Sequence, residues 1–228
     1  DDDWYPVSDG SGASIVIRDD SAAEHLWNKV SSWRASTRRN GSPGTADPAE
    51  PAALRITEIM YHPGPPSQTE MDDGYNQDDF DFIELANSGD APINLATFAI
   101  TGGLSFTFPN FDLAPGEHVL LVEDEDAFAE RYGEGLPVLG SWSGSLSNSG
   151  ERIALEQNGQ TVLDFTYKDS WFPSTDGTGP SLTIIDEQVH PLLWDDRDSW
   201  RPSGASGGTP GETGDPCAAW LWEHFDED

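Results

Sequence analysis

Two stretches of this chain, residues 4–44 and 171–211, repeat one another at a constant offset of 167 positions without a gap. Of the 41 aligned positions, 17 are identical, whereas unrelated segments of this length would share about two or three. Six of the nine tryptophans lie in matched pairs: Trp4 with Trp171, Trp27 with Trp194, and Trp33 with Trp200. An offset of 167 residues is the size of a domain, so the repeated unit is a whole domain rather than a short solenoid repeat.

The repeat predicts the domain organisation. Residues 1–44 are expected to be the C-terminal end of one domain, residues 45–53 a linker, and residues 54–212 a complete copy of the next domain. Residues 213–228 are expected to begin a further module or to form a tail. On this interpretation the chain is a piece of a longer protein, so the lack of a signal peptide at residue 1 carries no weight.

The composition is strongly acidic, since 42 Asp and Glu residues against 11 Lys and Arg residues give a formal net charge of −31. Such a field repels phosphate and opposes nucleic-acid binding. It suits cation-rich surroundings, and an acidic surface adapted to a salty medium is the simplest interpretation. No apolar run approaches membrane-spanning length, and the single cysteine, Cys217, excludes an internal disulfide framework. Neither a nucleic-acid partner nor a membrane span is therefore expected.

Short apolar segments separated by Pro, Gly and Asn turns predict strands over most of the complete copy. The predicted strands are residues 54–61, 82–86, 93–100, 104–108, 118–122, 151–156, 161–167 and 181–185. Asn158-Gly159 predicts a two-residue hairpin turn. The one predicted helix spans residues 124–132, with an acidic first turn and Gly133 at its end. This pattern favours an all-β fold, a β-sandwich with one short helix.

Motifs that follow in order along the complete copy carry a family resemblance. They are L-R-I-T-E-I-M-Y-H-P from residue 54, D-F-I-E-L-A-N-S-G-D-A-P-I-N-L from residue 81, L-A-P-G-E-H-V-L-L-V from residue 113, G-S-L-S-N-S-G-E-R-I-A-L from residue 144 and W-F-P-S-T-D-G-T-G-P-S-L from residue 171. The chain thereby resembles bacterial lamin-tail domains over residues 54–211 and, through the repeat, over residues 4–44. The resemblance implies an immunoglobulin-like β-sandwich in a secreted or surface-attached bacterial protein, and thus an extracellular or cell-surface location. It implies no catalytic residues.

The candidate catalytic groups give no reason to expect an enzyme in this segment. The five histidines do not stand at metal-ligand spacing, and no thiolate pair is present for zinc. No G-x-S-x-G motif lies between a predicted strand and a predicted helix.

The acidic loop at residues 62–81 is the one segment whose residue types suit a ligand. Calcium takes six to eight oxygen ligands from flexible loops, and the candidate calcium ligands are Asp72, Asp73, Asp78, Asp79 and Asp81. The spacing does not match an EF-hand, because Gly74 comes too early and no Glu closes the loop. The alternative interpretation is a solvated acidic loop.

The resemblance, together with the β-sandwich pattern, implies a non-catalytic immunoglobulin-like domain whose partners are neighbouring domains of the same protein. It would act as a structural spacer, or bind protein or polysaccharide at the cell surface. The alternatives are an accessory domain of a secreted hydrolase and a carbohydrate-binding module. The latter needs exposed aromatic rings, for which the candidates are Trp142, Trp171, Trp194 and Trp200.

Residues 14–18 are expected to lie outside the core of the complete copy, loosely packed or disordered, because residues 181–185 should occupy that place. Arg18 would otherwise replace Ile185, and if Ile185 is buried this exchange costs several kcal/mol for an unpaired charge.

Overall fold

The computed structural model describes residues 4–47 and 53–212. Within these residues the α-helices are α1 (Gln68–Asp72) and α2 (Glu125–Tyr132). The strands there are β1 (Ile15–Ile17), β2 (Trp33–Ala35), β3 (Leu54–Met60), β4 (Phe82–Asn87), β5 (Ile93–Asn94), β6 (Phe98–Gly102), β7 (Leu104–Thr107), β8 (Asp112–Leu113), β9 (His118–Val122), β10 (Val138–Ser141), β11 (Ser143–Gly144), β12 (Arg152–Gln157), β13 (Gln160–Thr166), β14 (Leu182–Ile184) and β15 (Trp200–Pro202). The further module predicted at residues 213–228 lies outside the described residues, as do residues 1–3 and 48–52.

Residues 53–212 form a sandwich of two sheets. The larger sheet has the strand order β10-β9-β4-β3-β14-β15, and the smaller has the order β11-β7-β6-β12-β13. Among the described strands, only β10 and β9 pair in parallel, and α2 connects them. The predicted all-β, immunoglobulin-like sandwich is therefore confirmed. No helix in the described residues is long and apolar enough to cross a membrane.

The main core lies between the sheets because alternate residues of each strand face inward. In β4, Ile83 and Leu85 join this core, whereas Phe82 faces the opposite side. In β3 a bulge at Thr57 leaves one residue without a partner on β4, which returns Ile59 to the core side. A second apolar cluster, on the outer face of the larger sheet, consists of Met60, Phe82, Leu120, Val122 and Phe128 of α2.

Most of the predicted strands and the predicted helix are present, but one predicted strand is divided into two. The hairpin turn has positive φ at both Asn158 and Gly159, as the two-residue turn requires. Helix α2 begins after Asp124, whose carboxylate accepts hydrogen bonds from the N–H groups of Asp126 and Ala127 at 2.9 Å. The prediction of one strand over residues 93–100 was wrong, because a 3-10 turn at Leu95–Thr97 separates β5 from β6. Asn94 caps this turn through the N–H of Ala96, a competition between side chain and ladder typical of Asn.

The repeat is visible in the structure as two hairpins of the same form. We call residues 4–44 the N-terminal hairpin and residues 171–211 the closing hairpin. The β1–β2 register pairs Ile17 with Trp33, and the β14–β15 register pairs Ile184 with Trp200 at the same repeat positions. The positive φ angles recur as well, in the pairs Gly10 and Gly177, Gly12 and Gly179, Asn40 and Gly207, Gly41 and Gly208, and Gly44 and Gly211.

The two hairpins differ in their surroundings. The closing hairpin completes the larger sheet, since β14 pairs with β3 as well as with β15. The N-terminal hairpin lies outside that ladder, as expected. The argument from a buried charge held only if Ile185 is buried, and it does not apply, because Ile185 is 48% exposed. In the described structure that place in the larger sheet is occupied by β14 and β15.

Candidate functional site

The acidic loop is an ordered segment held against α2. Ser67 and Glu70 form a capping box at the start of α1, with Ser67 Oγ accepting from the N–H of Glu70 and Glu70 Oε2 from the N–H of Ser67. Arg131 of α2 donates to both Glu70 oxygens at 2.8 and 3.0 Å, and its guanidinium lies over the Phe80 ring. The hydrogen bonds from Arg131 hold the pKa of Glu70 at about 2, well below its usual value. The pattern S-x-x-E before α1 could have predicted this helix.

The structure separates the five candidate calcium ligands into two groups. Asp72 accepts a hydrogen bond from Gln68 within α1, and Asp73 lies beside Glu130 of α2. Asp78 and Asp79 lie instead in a 3-10 turn directly before β4, together with Asp81. A further carboxylate, that of Glu123 at the end of β9, joins this second group.

Asp81 is the unusual member of the second group. Its side chain is fully buried, and neither carboxylate oxygen has a hydrogen-bond partner among the described residues. One buried oxygen of Glu123 also lacks a partner there. Burial, and then the charges of Asp78, Glu123 and Asp79, raise the pKa of Asp81 to about 10. As they stand, no three His, Cys, Asp or Glu side chains in the described part of the chain are arranged to hold a metal ion.

Two buried glutamates on neighbouring strands form a second polar site that the sequence did not reveal. Glu58 of β3 and Glu84 of β4 are paired across the ladder, and both are buried. Each accepts hydrogen bonds from the closing hairpin. Thr209 donates its N–H to Glu58 Oε1 and its hydroxyl to Glu58 Oε2, both at 2.8 Å, and the Ser181 hydroxyl also donates to Glu58. Gly211 donates its N–H to Glu84 Oε2 at 2.6 Å.

Electrostatics at this polar site are governed by burial and by His118. Burial raises the pKa of Glu58 to about 7, against the opposing effect of the hydrogen bonds from Ser181 and Thr209. His118 Nδ1 lies 2.9 Å from Glu84 Oε1, and this hydrogen bond raises the pKa of His118. At Gly208 a side chain would collide with Glu58 and Phe82, so only glycine allows the closing hairpin to approach the two glutamates. The site joins the first strand of the domain to its last segment.

The tryptophans named as candidates for sugar stacking are buried. Trp194 and Trp200 pack edge-on against one another, and both pack on Phe165 of β13 at ring-centroid distances of 5.5 and 5.3 Å. Trp171 stacks on Trp200, and Trp142 is buried in the main core. These four rings therefore form part of the core rather than a platform on the surface.

The N-terminal hairpin touches the complete domain through two arginines. Arg39 donates to the Leu192 carbonyl at 3.2 Å and lies 3.6 Å from the Asp195 carboxylate. Arg38 donates to Gln160 at 3.4 Å. A groove of about 530 Å³ lies between these arginines and β13, so the contact is open where the arginines lie. A smaller groove lies between Tyr5 and Val7 of the hairpin and His190 and Leu193 of the domain. Directly after the hairpin, Asp47 accepts a hydrogen bond from Ser42 at 2.7 Å and pairs with Arg34.

Comparison with known proteins identifies a family for the central part of the chain. The sequence model of the Lamin Tail Domain family matches residues 47–169. No curated protein matches the chain.

Proposed function

The chain belongs to the lamin tail domain family, and on that basis we propose that it is a non-catalytic structural spacer in a secreted or surface-attached multidomain bacterial protein. The family match supports a non-catalytic domain for this segment. The observation that carries the spacer role is the contact of the N-terminal hairpin with the complete domain through Arg38 and Arg39. Two successive units of one chain in contact keep a defined separation, which is what a spacer must provide.

The charge of the N-terminal hairpin also favours its contact with the complete domain. Residues 4–44 carry five basic and four acidic side chains, whereas the whole chain has 42 acidic residues against 11 basic ones. A nearly neutral hairpin thus lies against a strongly acidic domain. Because each exposed ion pair contributes little, up to about 1 kcal/mol, the contact should weaken as salt screens it.

The spacer role is tested by energy transfer between two fluorescent proteins fused to the ends of the full chain. We expect one well-defined transfer efficiency for the wild type and a clear change for Arg39→Glu. Lys29→Glu is the matched control, because it makes the same charge change at an exposed position of the same hairpin and should leave the efficiency unaltered. Identical efficiencies for all three proteins would argue against a contact that sets the spacing. Retention of the wild type on a polysaccharide column would favour the binding alternative.

A calcium ion is a second candidate, which the unpartnered carboxylate of Asp81 specifically favours. Buried charges are normally paired or coordinate a metal, and closely spaced carboxylates repel one another unless a cation lies among them. The side chains that could contribute are Asp78, Asp79, Asp81 and Glu123, after they move closer together than they are now. Asp72 and Asp73 would not take part.

Calorimetry with calcium tests this assignment. The wild type should bind calcium with measurable heat, which the double variant Asp78→Asn/Asp79→Asn should lose. The double variant Asp72→Asn/Asp73→Asn removes the same charge from α1 and should retain the heat. No heat with the wild type, or equal heats for both variants, would remove calcium from the proposal.

A further inference from the structure

The N-terminal hairpin retains the hydrogen-bond donors that hold two buried glutamates in the complete domain. The donors to Glu58 and Glu84 are the Ser181 hydroxyl, the N–H and hydroxyl of Thr209, and the N–H of Gly211. The same repeat positions in the N-terminal hairpin hold Ser14, Ser42 and Gly44; they carry the same donor groups, and of these the Ser42 hydroxyl donates to Asp47. Gly44 and Gly211 also share nearly the same positive φ, 78° and 80°, so their N–H groups stand in the same local geometry.

The same hairpin presents an apolar face that is covered in its counterpart. Trp27 is 40% exposed, whereas Trp194 at the matched position is 0% exposed. Ile15 is 38% exposed, whereas the matched Leu182 is fully buried. Single exposed apolar residues are ordinary, but here each one matches a residue of the main core of the complete domain.

The two tryptophans of this face already have the arrangement that their counterparts have in the complete domain. Trp33 Nε1 donates to the Trp27 carbonyl at 2.7 Å, as Trp200 Nε1 donates to the Trp194 carbonyl at 2.9 Å. The two indole rings meet edge-on in both hairpins. Such preorganisation lowers the entropic cost of docking. In the described residues β1 pairs only with β2, so its other edge is open to a further strand.

The complete domain shows which partner this face fits. There the closing hairpin pairs with β3, packs its tryptophans on Phe165 of β13 and binds Glu58 and Glu84. It is also joined to β13 by a short connection, since β13 ends at Thr166 and the hairpin begins at Trp171. The partner must therefore offer an antiparallel strand edge, an aromatic ring and two buried carboxylates, all close to the polypeptide that leads into Trp4.

We propose that the N-terminal hairpin is the closing hairpin of a second lamin-tail sandwich, which precedes Trp4 in the same polypeptide. Without β1 and β2, that sandwich would lack the counterparts of β14 and β15. The docking surface of the hairpin is the open edge of β1 with Ile15, Trp27 and Trp33. The Ser14 hydroxyl and the N–H groups of Ser42 and Gly44 bind the two glutamates of that sandwich. Arg18 fits this arrangement because the matched Ile185 is largely exposed. The inference does not depend on the spacer role, which concerns the contact made by Arg38 and Arg39.

The test joins a second copy of residues 54–170 in front of Trp4 of the full chain, in place of residues 1–3. This junction reproduces the connection from residue 170 to Trp171 in the complete domain. Hydrogen exchange, followed by mass spectrometry, then reports on residues 14–18 and 25–35. We expect exchange in these segments to slow at least 100-fold relative to the unextended chain, while the exchange of residues 181–185 stays unchanged.

The control replaces the two glutamates of the added copy, at the positions that match Glu58 and Glu84, by alanine. It should abolish most of the added protection, and the intact domain at residues 54–212 serves as the folding reference in the same molecule. The proposal fails if residues 14–18 exchange at the rate of the unextended chain. It also fails if protection appears only in dimers, because the partner would then not be the preceding sandwich, or if residues 181–185 lose protection to the added copy.

Discussion

Replacing Glu58 by glutamine should make the domain more stable at alkaline pH and leave it nearly unchanged at acidic pH. Glu58 is buried, and its pKa in the folded protein is raised to about 7. Because the folded-state pKa lies above the unfolded value of 4.5, the favourable contribution of the protonated carboxyl is fully present below pH 4.5. It is lost as pH rises through about 7. Glutamine resembles the protonated carboxyl in shape and charge, so Glu58→Gln should escape this loss.

The magnitude follows from the size of the pKa change. Each pKa unit corresponds to about 1.4 kcal/mol, so an increase from 4.5 to about 7 amounts to about 3 kcal/mol once pH exceeds 8. The amide can replace the carboxyl at little cost. Its oxygen can accept from Ser181 and from the N–H of Thr209, and the Thr209 hydroxyl can turn to accept from its NH₂ group.

Urea unfolding followed by tryptophan fluorescence between pH 5 and 8.5 measures this difference. The unfolding free energy of Glu58→Gln minus that of the wild type should grow by about 2–3 kcal/mol over the range. Glu134→Gln, at an exposed carboxylate, is the control and should show no such trend. A difference that stays constant with pH, or that grows towards pH 5, would refute the conclusion that burial raises the pKa of Glu58.

Three further outcomes are expected. Trp200→Ala should lower the unfolding free energy by about 3–5 kcal/mol because it empties a core position, whereas Trp33→Ala, at the matched but partly exposed position, should change it by less than about 1 kcal/mol; equal losses in urea unfolding would contradict the difference in packing. Arg131→Gln should cost about 2 kcal/mol at neutral pH through the loss of charge-assisted bonds to Glu70. Since the pKa of Glu70 is lowered to about 2, that cost should shrink as pH falls from 4.5 towards 2, and a cost independent of pH would argue against the ion pair. Finally, the chain should not retard duplex DNA in a band-shift assay at low salt, where binding is strongest, because its net charge is −31; a retarded band would overturn the electrostatic argument.

Local sequence patterns predicted the parts of the fold whose causes are local. An apolar run after a Pro-Gly turn predicted β9 with its bounds at His118 and Val122, because a short apolar run bounded by turn signals is typical of a buried strand. The Asn158-Gly159 turn is equally local, since both residues tolerate positive φ. Helix α1 was missed although its capping box was legible, because five residues are too few for a periodic apolar face.

The polar site could not be predicted because its cause lies far away along the chain. Glu58 and Glu84 stand at alternating positions of strands and therefore resemble residues that face solvent. Their burial depends on Thr209 and Gly211, which follow 151 and 127 residues later. The neighbours of the candidate calcium ligands could not be predicted for the same reason. Spacing alone placed Asp72 with Asp81, and it could not show that Glu123, from another strand, lies beside Asp81.

The late position of the segment that covers Glu58 and Glu84 has a consequence during synthesis. A ribosome makes β3 and β4 before the rest of this domain, and it must add well over a hundred further residues before Thr209 and Gly211 can cover those strands. Until then both glutamates face water, where a carboxylate ionises in its usual range. The nascent sheet thus carries two negative charges on the face that is still open, and such charges oppose pairing between neighbouring nascent chains. Once Thr209 and Gly211 have left the ribosome, they donate hydrogen bonds to the same two glutamates. These bonds join the last segment of the domain to its first strands.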